Sequence, residues 1–149
     1  KLLNRSTIYA TDINEKVLQK ANEGVYPLEQ VKAYTMNYQK SGGSESFADY
    51  YSAHANGALM DKGLKKNTVF SQHNLVTDSV FSEMHLVICR NVLIYFNNKL
   101  QDRSIGLFFD SLIRKGILCL GSKESVKFSN HAEKFCDLVE KEKIYQRIN

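Results

Sequence analysis

The octet Cys89-Arg90-Asn91-Val92-Leu93-Ile94-Tyr95-Phe96 follows an apolar run, Met84 to Ile88, and turns it abruptly into a polar pair and a tyrosine. In open α/β sheets ligands bind beyond the carboxyl ends of the strands, so a buried run that stops at Arg90-Asn91 sets polar groups at a site mouth. Two further junctions have the same form, Ala10-Thr11-Asp12-Ile13-Asn14 and His73-Asn74-Leu75. An acid at a strand end, such as Asp12, is able to accept hydrogen bonds from both hydroxyls of a ribose, as in dinucleotide-binding folds, or to serve as a turn or cap residue. Asn74 has a competing use in an Asx-turn. A buried Arg90 would require a partner, and Asp12 and Asp78 are the carboxylates considered for a structural ion pair. From the aromatic pair alone, Tyr95 beside Phe96 reads as half-buried packing.

The elements that must position these residues are legible from their periodicity. Thr7 to Thr11 is a short strand of β-branched and aromatic residues ending at Asp12. Asn14 is placed to cap a helix with Val17, Leu18 and Ala21 on its apolar stripe and Gly24 just past its end. Pro27 starts a second helix with Leu28, Val31, Tyr34 and Tyr38 on one face, broken by Ser41-Gly42-Gly43-Ser44. Residues 47–66 predict an inserted β-hairpin, its runs Asp49 to His54 and Ala58 to Lys62 joined by a type I′ turn at Asn56-Gly57. Thr68 to His73 and Met84 to Cys89 are the next strands. Asn98 is expected to cap a long helix, with Gln101 at its third position and Leu100, Ser104, Leu107, Phe108, Ser111 and Leu112 on one face, ended by Gly116. Ile117 to Leu120 is an apolar strand. Phe135 to Val139 and Ile144 to Ile148 are joined by so short a link that they must pair antiparallel.

Composition sets bounds on the chemistry. The chain has 149 residues, 43% hydrophobic and 24% charged, with net charge +4, as expected of one domain able to bury a core. The lysines are dispersed, so a nucleic-acid partner is not expected; the local group Lys62, Lys65 and Lys66, near Tyr50 and Tyr51, suits an acidic peptide or phosphate. Cys89, Cys119 and Cys136 are odd in number and lack Cys-x-x-Cys spacing, which points to reduced thiols and a cytoplasmic setting. No apolar run approaches the length of a membrane span, so an integral membrane protein is not expected, and the basic start Lys1 to Arg5 leads into a strand rather than a signal peptide. His54, His73, His85 and His131 lack metal-ligand spacing, and no metal is expected. Gly-x-Ser-x-Gly and Gly-Lys-Ser/Thr motifs are absent from the sequence, which leaves hydrolase and kinase readings unsupported.

Taken in order, Ala-Thr-Asp-Ile-Asn followed by a helix and Gly24-Val25-Tyr26-Pro27, then Asn74-Leu75, then Cys89 to Phe96, resemble the chemotaxis receptor methyltransferase (CheR-type) family. The resemblance covers nearly all of Ile8 to Ile148. It implies an α/β fold: a Rossmann-like S-adenosylmethionine-dependent methyltransferase sheet with an inserted small antiparallel β-subdomain at 47–66 and a C-terminal antiparallel strand pair. Residues 1–149 would then form a partial catalytic domain, in which the family's N-terminal helical domain, first strand and Gly-rich loop have no counterpart. Without that first strand, the second and fourth strands of the sheet lack their shared neighbour.

The resemblance further implies S-adenosylmethionine as cofactor, with S-adenosylhomocysteine as product, and glutamates of chemoreceptors or related signalling proteins as substrates. Carried over residue by residue, Asp12 meets the ribose, Asn74 and Leu75 meet the adenine, Arg90 and Asn91 are a cofactor-binding pair, and Tyr95 is the active-site tyrosine. Two functions follow from different classes. The first is protein-glutamate O-methylation in signal transduction, with this chain expected to be weak or inactive alone. The second is a binding module that docks a receptor tail through the hairpin edge at Asp49 to Lys62 by strand addition.

Overall fold

The computed structural model describes residues 2–80 and 82–148. Lys1, part of the basic start, lies outside them. The chain divides into two units, Lys1–His73 and Asn74–Asn149.

In the first unit, β1 (Ile8–Asp12) pairs in parallel with β5 (Thr68–Gln72), in a register running from Ile8 opposite Thr68 to Asp12 opposite Gln72. Parallel neighbours require a crossover, and here it is long. It begins with α1 (Glu15–Glu23), capped by Asn14, whose side chain accepts from the Lys16 amide, and closed by Gly24 at φ 71°. Leu18 is its buried residue; Val17, expected on the apolar stripe, is largely exposed. Then come β2 (Val25–Tyr26), α2 (Leu28–Lys40), β3 (Tyr51–His54) and β4 (Gly57–Met60), the strands forming a second sheet in the order β2-β4-β3.

The hairpin therefore exists, but with a third strand and a shifted turn. His54 pairs with Gly57, leaving Ala55 and Asn56 in the loop, and neither has positive φ. Gly57, at φ 133°, serves a different need from the expected type I′ turn: a Cβ there would stand 2.5 Å from the carbonyl oxygen of Tyr26. The positive φ and the close approach of β2 to β4 each require glycine here. Under this sheet Tyr38, Phe47 and Tyr50 form a ring cluster, with Tyr38 centred 5.6 Å from each of the other two.

In the second unit β6 (Met84–Cys89) lies parallel to β7 (Leu112–Leu120), joined by α3 (Asn98–Ser111); β7 also pairs antiparallel with β9 (Ile144–Arg147), and β9 with β8 (Phe135–Val139). The resulting order, β6-β7-β9-β8, contains the expected antiparallel C-terminal pair. Helix α3 starts one residue early. Asn97, not Asn98, is its cap, accepting from the Leu100 amide at 3.0 Å. Gly116 does not stop the helix, which ends at Ser111; it lies within β7, where the register jumps from Met84 opposite Leu112 to Leu86 opposite Ile117. The extra residues bulge through Lys115 at φ 61°, and a Cβ on Gly116 would meet the Ile113 carbonyl at 2.8 Å. Ile105, Leu118 and Leu120 are fully buried between α3 and the sheet, each stabilising the fold by roughly 1.5–3 kcal/mol.

Among the described residues, β1 pairs only with β5 and β6 only with β7. In the first unit both β1 and β5 thus present an unpaired edge, and in the second the parallel strand β6 presents one, on which Leu86 and Ile88 are 50% and 65% exposed. A strand of that composition ordinarily sits between two others.

Candidate active site

Asp12 ends β1 in the first unit. Its Oδ1 accepts from the Asn14 amide at 2.8 Å, so the carboxylate shapes the turn that leads into α1, while Oδ2 takes no hydrogen bond among the described residues. The turn is fixed from a second side: the Gln72 side-chain amide donates to the Ile13 carbonyl at 2.9 Å, and the His73 amide to the Asp12 carbonyl at 3.2 Å. Structural and ligand-binding uses of Asp12 are therefore compatible, one oxygen for each.

Asn74, Leu75, Arg90, Asn91 and Tyr95 all belong to the second unit. Asn74 opens a tight turn. Its Oδ1 accepts from the Val76 amide at 2.9 Å, its backbone N–H donates to Asp78 Oδ2 at 2.8 Å, and its carbonyl accepts from the Thr77 and Asp78 amides. The Asx-turn alternative is thus realised, and the Nδ2 donor remains unspent among the described residues. Leu75 packs on the core. Arg103 ties this turn to α3, its Nε and Nη2 donating to the carbonyls of Val76 and Asp78 at 3.0 and 2.9 Å.

Arg90, Asn91 and Tyr95 share one segment beyond the carboxyl end of β6. Arg90 is exposed and enters no ion pair among the described residues, so the ion-pair alternative finds no counterpart. Asn91 stands at φ 60°, a conformation asparagine tolerates better than most residues. Tyr95 lies on a 3₁₀ turn, Leu93–Tyr95, and is 81% exposed, while Phe96 packs against the core. The half-buried packing role considered for Tyr95 does not fit that exposure. Its turn is held from α3 by Gln101, whose side-chain amide donates to the carbonyls of both Leu93 and Phe96 at 3.0 Å. Gln101 thus braces the tyrosine's turn instead of completing a capping box.

The residue missed from sequence is Glu124. It is 5% exposed, and its Oε1 accepts from the amides of Val92 and Leu93 at 2.8 Å each, its Oε2 from those of Asn91 at 3.0 Å and Gly121 at 2.5 Å. Gly121-Ser122-Lys123-Glu124 follows the apolar strand Ile117 to Leu120 directly, so the strand-end criterion that picked out Asp12, Asn74 and Arg90 marks this junction too. Just before the clamped segment, burial and then the Glu124 charge push the Cys89 thiol up to about 12.

Elsewhere, Lys65 of the basic group donates through Nζ to the carbonyls of Asn22 and Glu23, closing the end of α1, while Lys62 and Lys66 stay exposed. The described residues contain no group of three or more His, Cys, Asp or Glu side chains able to hold a metal ion. They also contain no helix long and apolar enough to cross a membrane.

Comparison with known proteins places these features in context. The profile of the CheR methyltransferase, SAM binding domain family matches residues 2–142. A Pseudomonas putida protein named "Putative methyltransferase Cher3" is 51% identical over 146 residues, covering 98% of this chain and 54% of its own length. "Chemotaxis protein methyltransferase 2" of Vibrio cholerae is 32% identical over 124 residues, 80% of this chain and 40% of the relative. "Chemotaxis protein methyltransferase" of Salmonella typhimurium is 29% identical over 137 residues, 91% and 43%. The chain spans about half the length of the curated relatives it matches.

Proposed function

Because the chain belongs to the CheR methyltransferase SAM-binding domain family, we propose that the intact protein methylates glutamate side chains of chemoreceptors or related signalling proteins, forming methyl esters. The observation that carries this is the segment Arg90 to Phe96: a backbone held by Glu124 and Gln101 that leaves Tyr95 81% exposed at the end of a parallel strand.

Within each unit taken by itself, the polar groups left over after the internal hydrogen bonds are of the kinds that S-adenosylmethionine calls for. Asp12 retains Oδ2 as an acceptor for ribose hydroxyls, and Asn74 retains Nδ2 as a donor to a purine edge beside Leu75. Arg90 and Asn91 offer exposed polar side chains to the amino-acid end. When bound, the cofactor supplies a methyl group on a positively charged sulfur, which a carboxylate oxygen takes as the carbon–sulfur electron pair returns to sulfur. An ionised glutamate needs no strong base, so this chain's contribution is positioning. The face of the Tyr95 ring favours a cation, and its hydroxyl is able to orient the incoming carboxylate.

The test is calorimetry with S-adenosylhomocysteine on this chain and on a version extended upstream, with labelled-methyl transfer to receptor membranes. Alkali should release the transferred label as methanol, the mark of an ester. Binding without transfer by the intact protein would refute the enzyme reading.

A second reading has its own observation. In the order β2-β4-β3 the inner strand β4 is paired on both sides, so of the hairpin only β3 offers a free edge, with Ser52, Ala53 and His54 exposed. An extended receptor tail could add there as a further strand, tethering the substrate or acting alone as the function of a binding module.

A further inference from the structure

We infer that Glu124 is a positioning residue for the segment that carries Arg90, Asn91 and Tyr95; the inference rests on the methyl-transfer reading and names a group outside the residues that would touch cofactor or substrate. A carboxylate this deeply buried is costly unless its charge is answered. No cation pairs with Glu124 among the described residues. Its compensation is four backbone N–H groups, two on each oxygen, and hydrogen bonds to an ionised acceptor are about twice as strong as neutral ones.

Three of those donors, Asn91, Val92 and Leu93, are consecutive. Asn91 is left-handed at φ 60° and Val92 right-handed at φ −112°, ψ −49°, the alternation that turns successive amides toward one point and makes a concave anion seat. Here the protein's own carboxylate fills that seat. The fourth donor, Gly121, comes from the end of β7, so Glu124 links the carboxyl ends of two neighbouring strands. Space for it depends on glycine: a Cβ on Gly121 would lie 2.6 Å from Glu124 Oε2 and 2.7 Å from Asn91 Oδ1. Without the carboxylate, three converging N–H dipoles would repel one another, the turn at Asn91 would relax, and the side chains of Arg90, Asn91 and Tyr95 would move with it.

The substitution that isolates this is Glu124→Gln in the intact protein. Because both oxygens accept two N–H groups, either orientation of the amide sets its own donor against two donors, at nearly unchanged volume. Three quantities are measured: melting temperature, amide hydrogen exchange at residues 91–93, and turnover with cofactor affinity. The folded variant should show faster exchange at Asn91, Val92 and Leu93 and roughly 100-fold lower turnover, the scale of a misplacement near 1 Å. A core variant with a matched melting-temperature loss, Ile105→Ala, should retain both. Wild-type turnover and affinity in folded Glu124→Gln, or equal losses in Ile105→Ala, would overturn the inference. If Glu124→Gln does not fold, Glu124→Asp keeps the charge, shortens the reach to the amides of Asn91, Val92 and Leu93, and decides the matter by the same measurements. A wild-type protein that binds no S-adenosylhomocysteine and transfers no methyl would instead sink the methyl-transfer reading, with amide exchange still reporting whether Glu124 holds the turn.

Discussion

Replacing Asp12 separates two jobs that one carboxylate is positioned to do. Oδ1 already accepts from the Asn14 amide at 2.8 Å, and Oδ2 carries no bond among the described residues. Asp12→Ala removes both acceptors. The loss of the first should cost about 0.5–1.5 kcal/mol of stability, the net value of an ordinary hydrogen bond, with the lower part of that range expected because the site is partly exposed. The loss of the second leaves ribose hydroxyls unpaired and should weaken S-adenosylhomocysteine binding in the intact protein by about 1–3 kcal/mol, roughly 5- to 150-fold in Kd. Asp12→Asn keeps a carbonyl oxygen for Asn14 but puts a donor where Oδ2 stood. Its melting temperature should return to near wild type while affinity recovers only in part. Calorimetric titration and thermal melts of the two variants supply the four numbers. Unchanged affinity in both, at full folding, would reduce Asp12 to a turn residue and refute its assignment to the ribose.

Three further outcomes are expected. Tyr95→Phe should lower single-turnover methylation about threefold to tenfold, the worth of one lost hydrogen bond, with cofactor affinity and melting temperature unchanged because the side chain is exposed; equal turnover would leave the hydroxyl without a role. Ala53→Pro removes a donor from β3 next to the closing pair His54–Gly57, where the antiparallel pattern turns the N–H outward, and should abolish receptor-tail binding yet spare cofactor affinity; loss of both would indicate misfolding. Cys89, with its folded pKa raised to about 12, favours the protonated thiol, so this contribution to stability is complete below the ordinary thiol range near pH 8.5 and fades as pH rises toward 12. At pH 8.5, iodoacetamide followed by mass analysis should label exposed Cys136 and spare Cys89; fast labelling of Cys89 would refute its burial.

What could be read from sequence was whatever a short window determines. The Asn14 cap, the Gly24 stop and the strands Met84–Cys89 and Phe135–Val139 depend on local propensity and sit where periodicity placed them. The misplacements share a cause in contacts distant along the chain. Asn97 and Asn98 are equally suited to cap α3, and Gln101, engaged by the carbonyls of Leu93 and Phe96, does not complete a box for either. Gly57 has the positive φ of a turn glycine, yet it stands in β4 outside the two-residue loop and is further constrained by the Tyr26 carbonyl on another strand. The strand end before Glu124 was legible, but the role of Glu124 was not, for the same reason. A glutamate on a polar loop normally faces water, and only the fold reveals that three amides some thirty positions earlier converge on it.

That convergence bears on how a site with exposed side chains can be selective. Tyr95 and Arg90 gain no rigidity from packing, since both project to the surface. Their order must come from the backbone beneath them, held on one side by the Glu124 carboxylate and on the other by the Gln101 amide, the first accepting N–H groups and the second donating to C=O groups of the same short segment. Between them the two side chains engage both polarities of that backbone, so the turn has few alternatives that leave its buried groups satisfied. For a transfer in which the nucleophile is already ionised, a fixed platform under mobile-looking side chains is what positioning requires. Loosening either tether should therefore slow methyl transfer before it unfolds the domain.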